Sequence, residues 1–216
     1  MSACLTVMAK QPERGRVKTR IAAVLGDDQA AEVCQCALDD TLALAASIAD
    51  VAHVLSYAPP TGDGQRYFRQ VAPDFVLIPQ QGATLGERIS GTLAALLEDH
   101  SSVVLIGSDS PDLPAEFITR AFEMLRGPTE VVLGPANDGG YYLLGVRSMQ
   151  PILFERIHWS TAVVAQQTRA RAAEAGLQMA DLPHWHDLDT VADLQALIAP
   201  GAPRTRAFVA ALNQRN

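Results

Sequence analysis

Four consecutive apolar residues, Val103-Val104-Leu105-Ile106, stop abruptly at Gly107-Ser108-Asp109-Ser110-Pro111. The run is rich in β-branched residues and has no polar face, so it reads as a strand buried on both sides. The chain then turns, and a helix is expected to start near Pro114, with Glu116 in its first turn where a carboxylate suits the helix dipole. Asp109 therefore falls just past the carboxyl end of a central strand. In open α/β sheets that edge is where ligands bind. A carboxylate there can hold a divalent cation against phosphate oxygens. The plainer alternative is that Asp109 only fixes the turn or caps the helix.

The same alternation recurs along the chain. Strands are expected at Ala3–Ala9, Val51–Tyr57, Phe75–Ile78 and Glu130–Gly134, with a further one through Tyr141-Tyr142-Leu143-Leu144. Helices are expected at Asp27–Ala49, capped by Asp27 or Asp28, and at Gln65–Val71. Another runs from Thr84 to about His100, and others at Pro114–Arg126, Ala162–Ala175 and Val191–Ile198. Thr84 with Glu87, and Thr190 with Asp193, have capping-box spacing. Ser160 or Thr161 is the expected cap of the Ala162–Ala175 helix, and Gly176 its terminator. Arg204, Arg206 and Arg215 mark a terminal helix and a frayed end. Strands alternating with helices without a linker imply one α/β domain over residues 1–216 with a mostly parallel sheet.

Composition narrows the function. A net charge of −7 argues against a nucleic-acid binder. No apolar run approaches the roughly 18–20 residues of a membrane span, and Met1–Met8 lacks the pattern of a signal peptide. The expectation is a cytoplasmic protein. The cysteines are Cys4, Cys34 and Cys36, an odd number that argues against a disulfide framework.

Within this acidic chain, Lys10–Arg20 carries five basic residues after the first strand. Lys supplies point charges and Arg a bidentate fork, so the loop suits an anionic ligand, and Gly15 would let backbone approach it closely. Its residue order is neither a Walker A loop nor a dinucleotide fingerprint. The alternative is a solvated surface loop. Gln80–Arg88 again follows a strand with a Gly-containing loop; it is either a plain helix start or a contact to a base or ribose, with Gly82 and Arg88 closest. Asn137-Asp138-Gly139-Gly140 is tight-turn chemistry before strand chemistry, so a hairpin is expected. It also sets Asp138 on a strand–loop edge, where the two glycines leave room for a ligand. Trp159 reads as a packing residue. His184, His186, Asp187 and Asp189 could suggest metal ligands, but alternation puts the histidines and the aspartates on opposite faces, which does not suit zinc.

Taken together, several stretches resemble a known family. They are Met8-Ala9-Lys10 with Pro12, Gly15 and Lys18-Thr19-Arg20; Leu85-Gly86-Glu87-Arg88; Gly107-Ser108-Asp109-Ser110-Pro111; Gly134-Pro135 with Asp138-Gly139-Gly140-Tyr141-Tyr142-Leu143-Leu144-Gly145; Trp159-Ser160-Thr161; and Asp187-Leu188-Asp189-Thr190 with Asp193-Leu194. The chain resembles the DUF2064 family of GT-A-type glycosyltransferases, including arsenosugar-biosynthesis glycosyltransferases. That family is in turn similar to small guanylyltransferases acting on molybdenum cofactor or phospholactate.

The resemblance implies a Rossmann-like GT-A nucleotide-diphospho-sugar transferase sandwich, an α/β fold with helices on both faces of the sheet. It implies that Lys10, Gly15, Lys18 and Arg20 line the nucleotide and phosphate site and that Gly82 and Arg88 approach base or ribose. It implies Mg²⁺ or Mn²⁺ on Asp109 and Asp189, with Asp187 in reserve, and Asp138, Gly139 and Gly140 toward sugar or acceptor. Two positions depart from the pattern. Gly107-Ser108-Asp109 replaces the usual Asp-x-Asp, and Thr84 stands where the family has an acid.

The main expectation is a metal-dependent glycosyltransferase. It would use a nucleotide-diphosphate sugar and a small-molecule acceptor, with Asp109, Asp138 and Lys18 catalytic. The alternatives are a guanylyl- or cytidylyltransferase-like nucleotidyltransferase using an NTP, and a non-catalytic nucleotide-binding protein of the same fold. The single Gly15, where nucleotidyltransferases of this fold carry a Gly-rich loop, favours the nucleotide sugar. The uncovered sheet edge or the C-terminal helices offer a surface for a homodimer.

Overall fold

The computed structural model describes residues 2–197 and 200–214. Seven strands form one sheet: β1 (Ala3–Lys10), β2 (Val51–Ala58), β3 (Val76–Pro79), β4 (Ser102–Gly107), β5 (Val131–Pro135), β6 (Tyr141–Val146) and β7 (Met179–Asp181). Their spatial order is β3-β2-β1-β4-β6-β5-β7. β6 runs antiparallel to both its neighbours, and the other pairings are parallel. The chain goes from β1 outward to β2 and β3, then returns to lay β4 on the other flank of β1. That reversal leaves a crevice beyond the carboxyl ends of β1 and β4, the position where open α/β sheets take ligands.

Among the described residues, eight helices accompany the strands: α1 (Thr19–Leu25), α2 (Asp27–Ala46), α3 (Gly62–Val71), α4 (Leu85–Leu97), α5 (Ala115–Arg126), α6 (Val164–Glu174), α7 (Val191–Gln195) and α8 (Pro203–Asn213). β4 is covered on both faces, as its uniform apolarity requires; Val104 and Ile106 enter one core, Val103 and Leu105 the other. The first core takes Leu38 and Leu42 of α2, Phe68 of α3, and Ile118 and Phe122 of α5. The second takes Ile89 and Leu93 of α4, and Ala165 and Ala172 of α6. A third, smaller core gathers Ile21 of α1, Ala30 and Val33 of α2, Leu194 of α7, and Leu188. It lies at the ligand edge and joins the beginning of the chain to its end.

The terminal helix is fastened in an unusual way. Ala202, at the N-cap of α8, has no side chain that can cap it. Buried Asp40 of α2 takes over, accepting from the backbone N–H of Arg204 (3.1 Å) and of Thr205 (2.8 Å) and from the Thr205 hydroxyl (2.8 Å). One carboxylate thus satisfies two orphan donors of a helix, 164 and 165 residues away in sequence.

Several boundaries differ from expectation, each for a local reason. α1 was hidden in the basic loop, because Ile21 is its one fully buried residue. Gly26, not Asp27 or Asp28, is the N-cap of α2, and the two acids sit in its first turn. Thr61 caps α3, which starts three residues earlier than its apolar pattern suggests. Neither Ser160 nor Thr161 caps α6. Ser160 has φ 61°, Thr161 donates back to the His158 carbonyl at 2.6 Å, and the helix begins at Val164. The 3₁₀ turn Pro151–Phe154 and the short β7 carried no periodic signal. Ile198, the expected end of the α7 region, and Arg215 lie outside the described residues. Both predicted capping boxes are present, at Thr84/Glu87 and Thr190/Asp193, and β5 and β6 form the expected hairpin. Among the described residues, no helix is long and apolar enough to cross a membrane.

The third core should be the brittle part of the fold. Leu188→Ala removes a fully buried side chain from it, and urea unfolding should show a loss of about 2–5 kcal/mol.

Candidate active site

The crevice beyond β1 and β4 opens into a cleft of about 1380 Å³. The segment after β1 supplies one wall and most of the positive charge. Lys10 and Arg16 line the cleft, and the Lys10 ammonium donates to the Arg16 carbonyl at 2.9 Å, which ties the loop back to its own strand. Arg16 was not singled out by the sequence. Lys18, at the N-cap of α1, has left-handed backbone with φ 45°. Gly15, with φ 71°, provides the turn but does not line the cleft.

Lys18 forms the centre of the site. Its ammonium contacts an Asp109 carboxylate oxygen and lies 3.5 Å from Asp189 Oδ1. Its side chain is only 6% exposed, against 55% for Asp109 and 40% for Asp189. Burial works against the Lys18 charge, but Asp109 and then Asp189 outweigh it and hold the ammonium above its ordinary pKa. Arg20 adds a second, mostly exposed cation 3.4 Å from Asp189 Oδ2. The carboxylate of the β4 turn and that of the Asp-Leu-Asp strip are therefore brought together, 80 residues apart in sequence. Asp187, the reserve candidate, lines the same cleft and accepts from the Ser110 hydroxyl at 2.7 Å. Desolvation, reinforced by Asp109, Asp138 and Asp189 and partly offset by the Ser110 bond, pushes its pKa up to about 6.

The acidic strip is held by one four-residue turn, Asp109–Asp112. The Leu188 N–H donates to the Asp109 carbonyl at 2.7 Å. Asp112, whose side chain is fully buried, accepts from Trp185 Nε1 at 3.2 Å and pairs with His186 Nε2 at 3.0 Å. Trp185 also joins the end of β5 through Pro135 and Asn137 backbone bonds. The sequence did not single out Ser110 or Asp112 as site residues, and His186, weighed there only as a metal ligand, serves instead as the partner of Asp112. The available signal was that Asp112 follows Asp109 by three residues in a Pro-containing turn.

The opposite wall comes from the loop after β3, the hairpin and the segment before α6. Gly82 and Arg88 line the cleft, and Arg88 Nε donates to the Gly82 carbonyl at 3.0 Å. Gly82 has φ 120°, and a Cβ there would stand 2.6 Å from that of Glu87, so glycine is required. The loop is a helix start and a cleft wall at once. Asp138 and Gly140 line the cleft too, while Asp138 Oδ1 accepts from the Gly140 N–H at 2.8 Å. Gly139 sits against Ala162, whose carbonyl oxygen would be 2.0 Å from an added Cβ, and does not line the cleft. Trp159 packs on Gly86 and stacks on Phe154, and also forms part of the wall. Cys34 lines the cleft beneath Lys18, its thiol pushed up to about 11 by burial.

The donor set suits a hard divalent cation. Asp109 and Asp189 offer carboxylate oxygens that already converge on one positive charge, the Lys18 ammonium. Among the described residues, no three His, Cys, Asp or Glu side chains form a closed metal cage. Such a pair fits Mg²⁺ or Mn²⁺, which complete their shells with water and substrate phosphates.

Comparisons with known proteins fit this geometry. The family model "Uncharacterized protein conserved in bacteria (DUF2064)" matches residues 41–161. The chain is 31% identical over 183 residues to the 3-phospho-D-glycerate guanylyltransferase of Phenylobacterium zucineum (strain HLK1), covering 81% of this chain and 84% of the relative. A crystal structure from Desulfovibrio desulfuricans G20, assigned to the nucleotide-diphospho-sugar transferases, superposes with a TM-score of 0.91 at 34% identity, covering 99% of this chain and 96% of that one. Glucosyl-3-phosphoglycerate synthase from Mycobacterium tuberculosis, solved with Mn²⁺, UDP and glucosyl-3-phosphoglycerate, shares the fold at a TM-score of 0.54 and 13% identity, over 99% of this chain and 79% of that one. The chain thus has the nucleotide-diphospho-sugar transferase fold.

The raised pKa of Asp187 has a consequence for stability. The folded-state pKa of about 6 lies above the ordinary 3.8, so the folded protein holds an extra proton between these values. Stability falls as pH rises through that window, by on the order of 2–3 kcal/mol in all. In EDTA-treated protein, Asp187→Asn should raise Tm relative to the parent at pH 7.5. The gap should shrink toward pH 4.5, and a gap equal at both pH values would contradict the assignment.

Proposed function

The chain belongs to the DUF2064 family, and from that premise we propose that it is a metal-dependent nucleotidyltransferase. It would move a nucleoside monophosphate from an NTP to a small anionic acceptor and release pyrophosphate. Similarity to a guanylyltransferase over four-fifths of the chain is the observation that carries this reading, and it makes GTP the first donor to test. The charge of the cleft suits the phosphates of either kind of nucleotide donor. Five cations line the cleft (Lys10, Arg16, Lys18, Arg20 and Arg88) against four carboxylates (Asp109, Asp138, Asp187 and Asp189). That is a formal balance of 5 − 4 = +1, to which a divalent cation adds two. The resulting positive charge suits a phosphorylated ligand, whether a triphosphate of about four negative charges or a diphosphate-sugar of about two. The sequence argument for a nucleotide sugar rested on the scarcity of glycine in the first loop. Lys10, Arg16 and Lys18, all on the cleft, provide side-chain charge where a Gly-rich loop would provide backbone N–H groups.

Asp109 and Asp189 would hold the cation, which supplies charge neutralisation to the phosphates when bound. Lys10 and Lys18 would bind the β- and γ-phosphates, and Arg20 would steady the leaving pyrophosphate. An attacking phosphate or carboxylate oxygen of the acceptor is already ionised at neutral pH and needs no general base. Asp138 would then orient the acceptor rather than deprotonate it. Gly82 and Arg88 would border the base or ribose. The second reading, transfer of sugar from a nucleotide-diphosphate sugar, draws on the 34%-identical structural relative.

A donor panel separates the two. With Mg²⁺ or Mn²⁺, GTP or another NTP should raise Tm and release pyrophosphate when 3-phospho-D-glycerate is the trial acceptor. Asp109→Asn should lower that turnover by about 10²–10³-fold, and, because it takes one carboxylate from the buried Lys18 ammonium, it should also lower Tm without ligand. A metal-dependent shift confined to UDP-, GDP-, ADP- or TDP-sugars would instead select the glycosyltransferase.

A further inference from the structure

We infer that Lys18 is a built-in cation of the Asp109–Asp189 pair, and that its ammonium and a divalent metal ion exclude one another there. The inference rests on the reading of that pair as the metal-holding carboxylates and adds a control on when it can be used. The Lys18 side chain is far more buried than either partner, and its ammonium contacts both. It is not a loose surface lysine that settles on the nearest acid. Ile21, three residues on, is locked in the third core together with Leu188, the residue between Asp187 and Asp189. The base of the Lys18 side chain and the base of the acidic strip are thereby fixed to each other.

A divalent ion of this class needs its carboxylate oxygens at about 2.0–2.1 Å for Mg²⁺. An ammonium in contact with both carboxylates fills that position and repels a second cation. Arg20 cannot take over this role, since its guanidinium is 72% exposed and reaches only Asp189. Metal entry therefore requires Lys18 to leave the pair. Nucleotide phosphates, more negative than a carboxylate, offer the ammonium another partner on the same cleft. Release of Lys18 to the phosphates and capture of the metal by Asp109 and Asp189 become one coupled event. Each ligand then raises the affinity for the other.

The test uses the full chain and Mn²⁺ alone, followed by the free-ion signal in electron paramagnetic resonance, with no nucleotide present. Lys18→Met, which keeps length and removes charge, should bind Mn²⁺ at least about tenfold more tightly than the parent, the scale of one lost charge-assisted hydrogen bond. Lys18→Arg, which keeps the charge, should stay at the parent affinity. Lys18→Gly, suited to the left-handed backbone, gives a second charge-free variant should the Met substitution not fold. Asp109→Asn placed in the Lys18→Met background should abolish the gain. Equal or weaker Mn²⁺ binding by both charge-free variants would overturn the inference, as would a gain that survives loss of Asp109. Since no nucleotide enters the titration, its result stands apart from the donor panel: a tenfold gain with no NTP turnover would keep the metal control and reject nucleotidyl transfer.

Discussion

A buried ammonium shared between two carboxylates holds the candidate site together. Lys18, Asp109 and Asp189 come from three distant parts of the chain, and each would be poorly placed without the others. Removing water from Lys18 is costly, and only direct contact with carboxylates offsets that cost. The pairing in turn needs scaffolding that keeps three backbones in register. The third core supplies it with Ile21, Val33, Leu188 and Leu194, and the Leu188 N–H to Asp109 carbonyl bond closes the last gap at 2.7 Å.

The larger cores have a different task. They cover both faces of the sheet and give the carboxyl ends of β1 and β4 a fixed spacing, and at their edge Ile89, Leu105 and Tyr142 form the apolar part of the cleft wall. The chemistry sits on segments that leave those strands. Beside the third core, polar anchors hold these segments: the Lys10–Arg16 bond, the Ser110–Asp187 bond, and Asp112 with Trp185 and His186. Directional bonds fix a side chain to within a few tenths of an ångström, which a phosphate site requires and a greasy contact does not guarantee.

How much of this was legible in the sequence depends on whether the signal was local. β4 could be read from Val103–Ile106 because four apolar residues admit few alternatives. The capping boxes at Thr84 and Thr190 could be read because their spacing is itself the mechanism. Lys18, Arg20, Asp109 and Asp189 were nameable through the family resemblance, but nothing in their spacing announces that they meet. Asp40 carries no local signal of its role, because the donors it caps follow 164 and 165 residues later. The direction of β6 was legible from the Asn-Asp-Gly-Gly turn, whereas α1 was masked by the basic residues that make it useful. The choice between nucleotide sugar and triphosphate turned on counting glycines in one loop. What a loop offers to phosphate depends on where its side chains end up, and that is a property of the fold.

The way α8 is fastened has a bearing on how the protein comes into being. Arg20 and Asp189 meet across 169 positions, and Asp40 waits as long for Thr205. A chain emerging from the ribosome can assemble β1 to β4 and their helices long before the acidic strip and α8 exist. During that interval Lys18 has Asp109 for company but not Asp189, and the third core lacks its C-terminal half. The nascent protein is thus a sheet without a finished site, and the charge arrangement of the candidate site is complete only once the segment from Asp187 to Thr205 has followed.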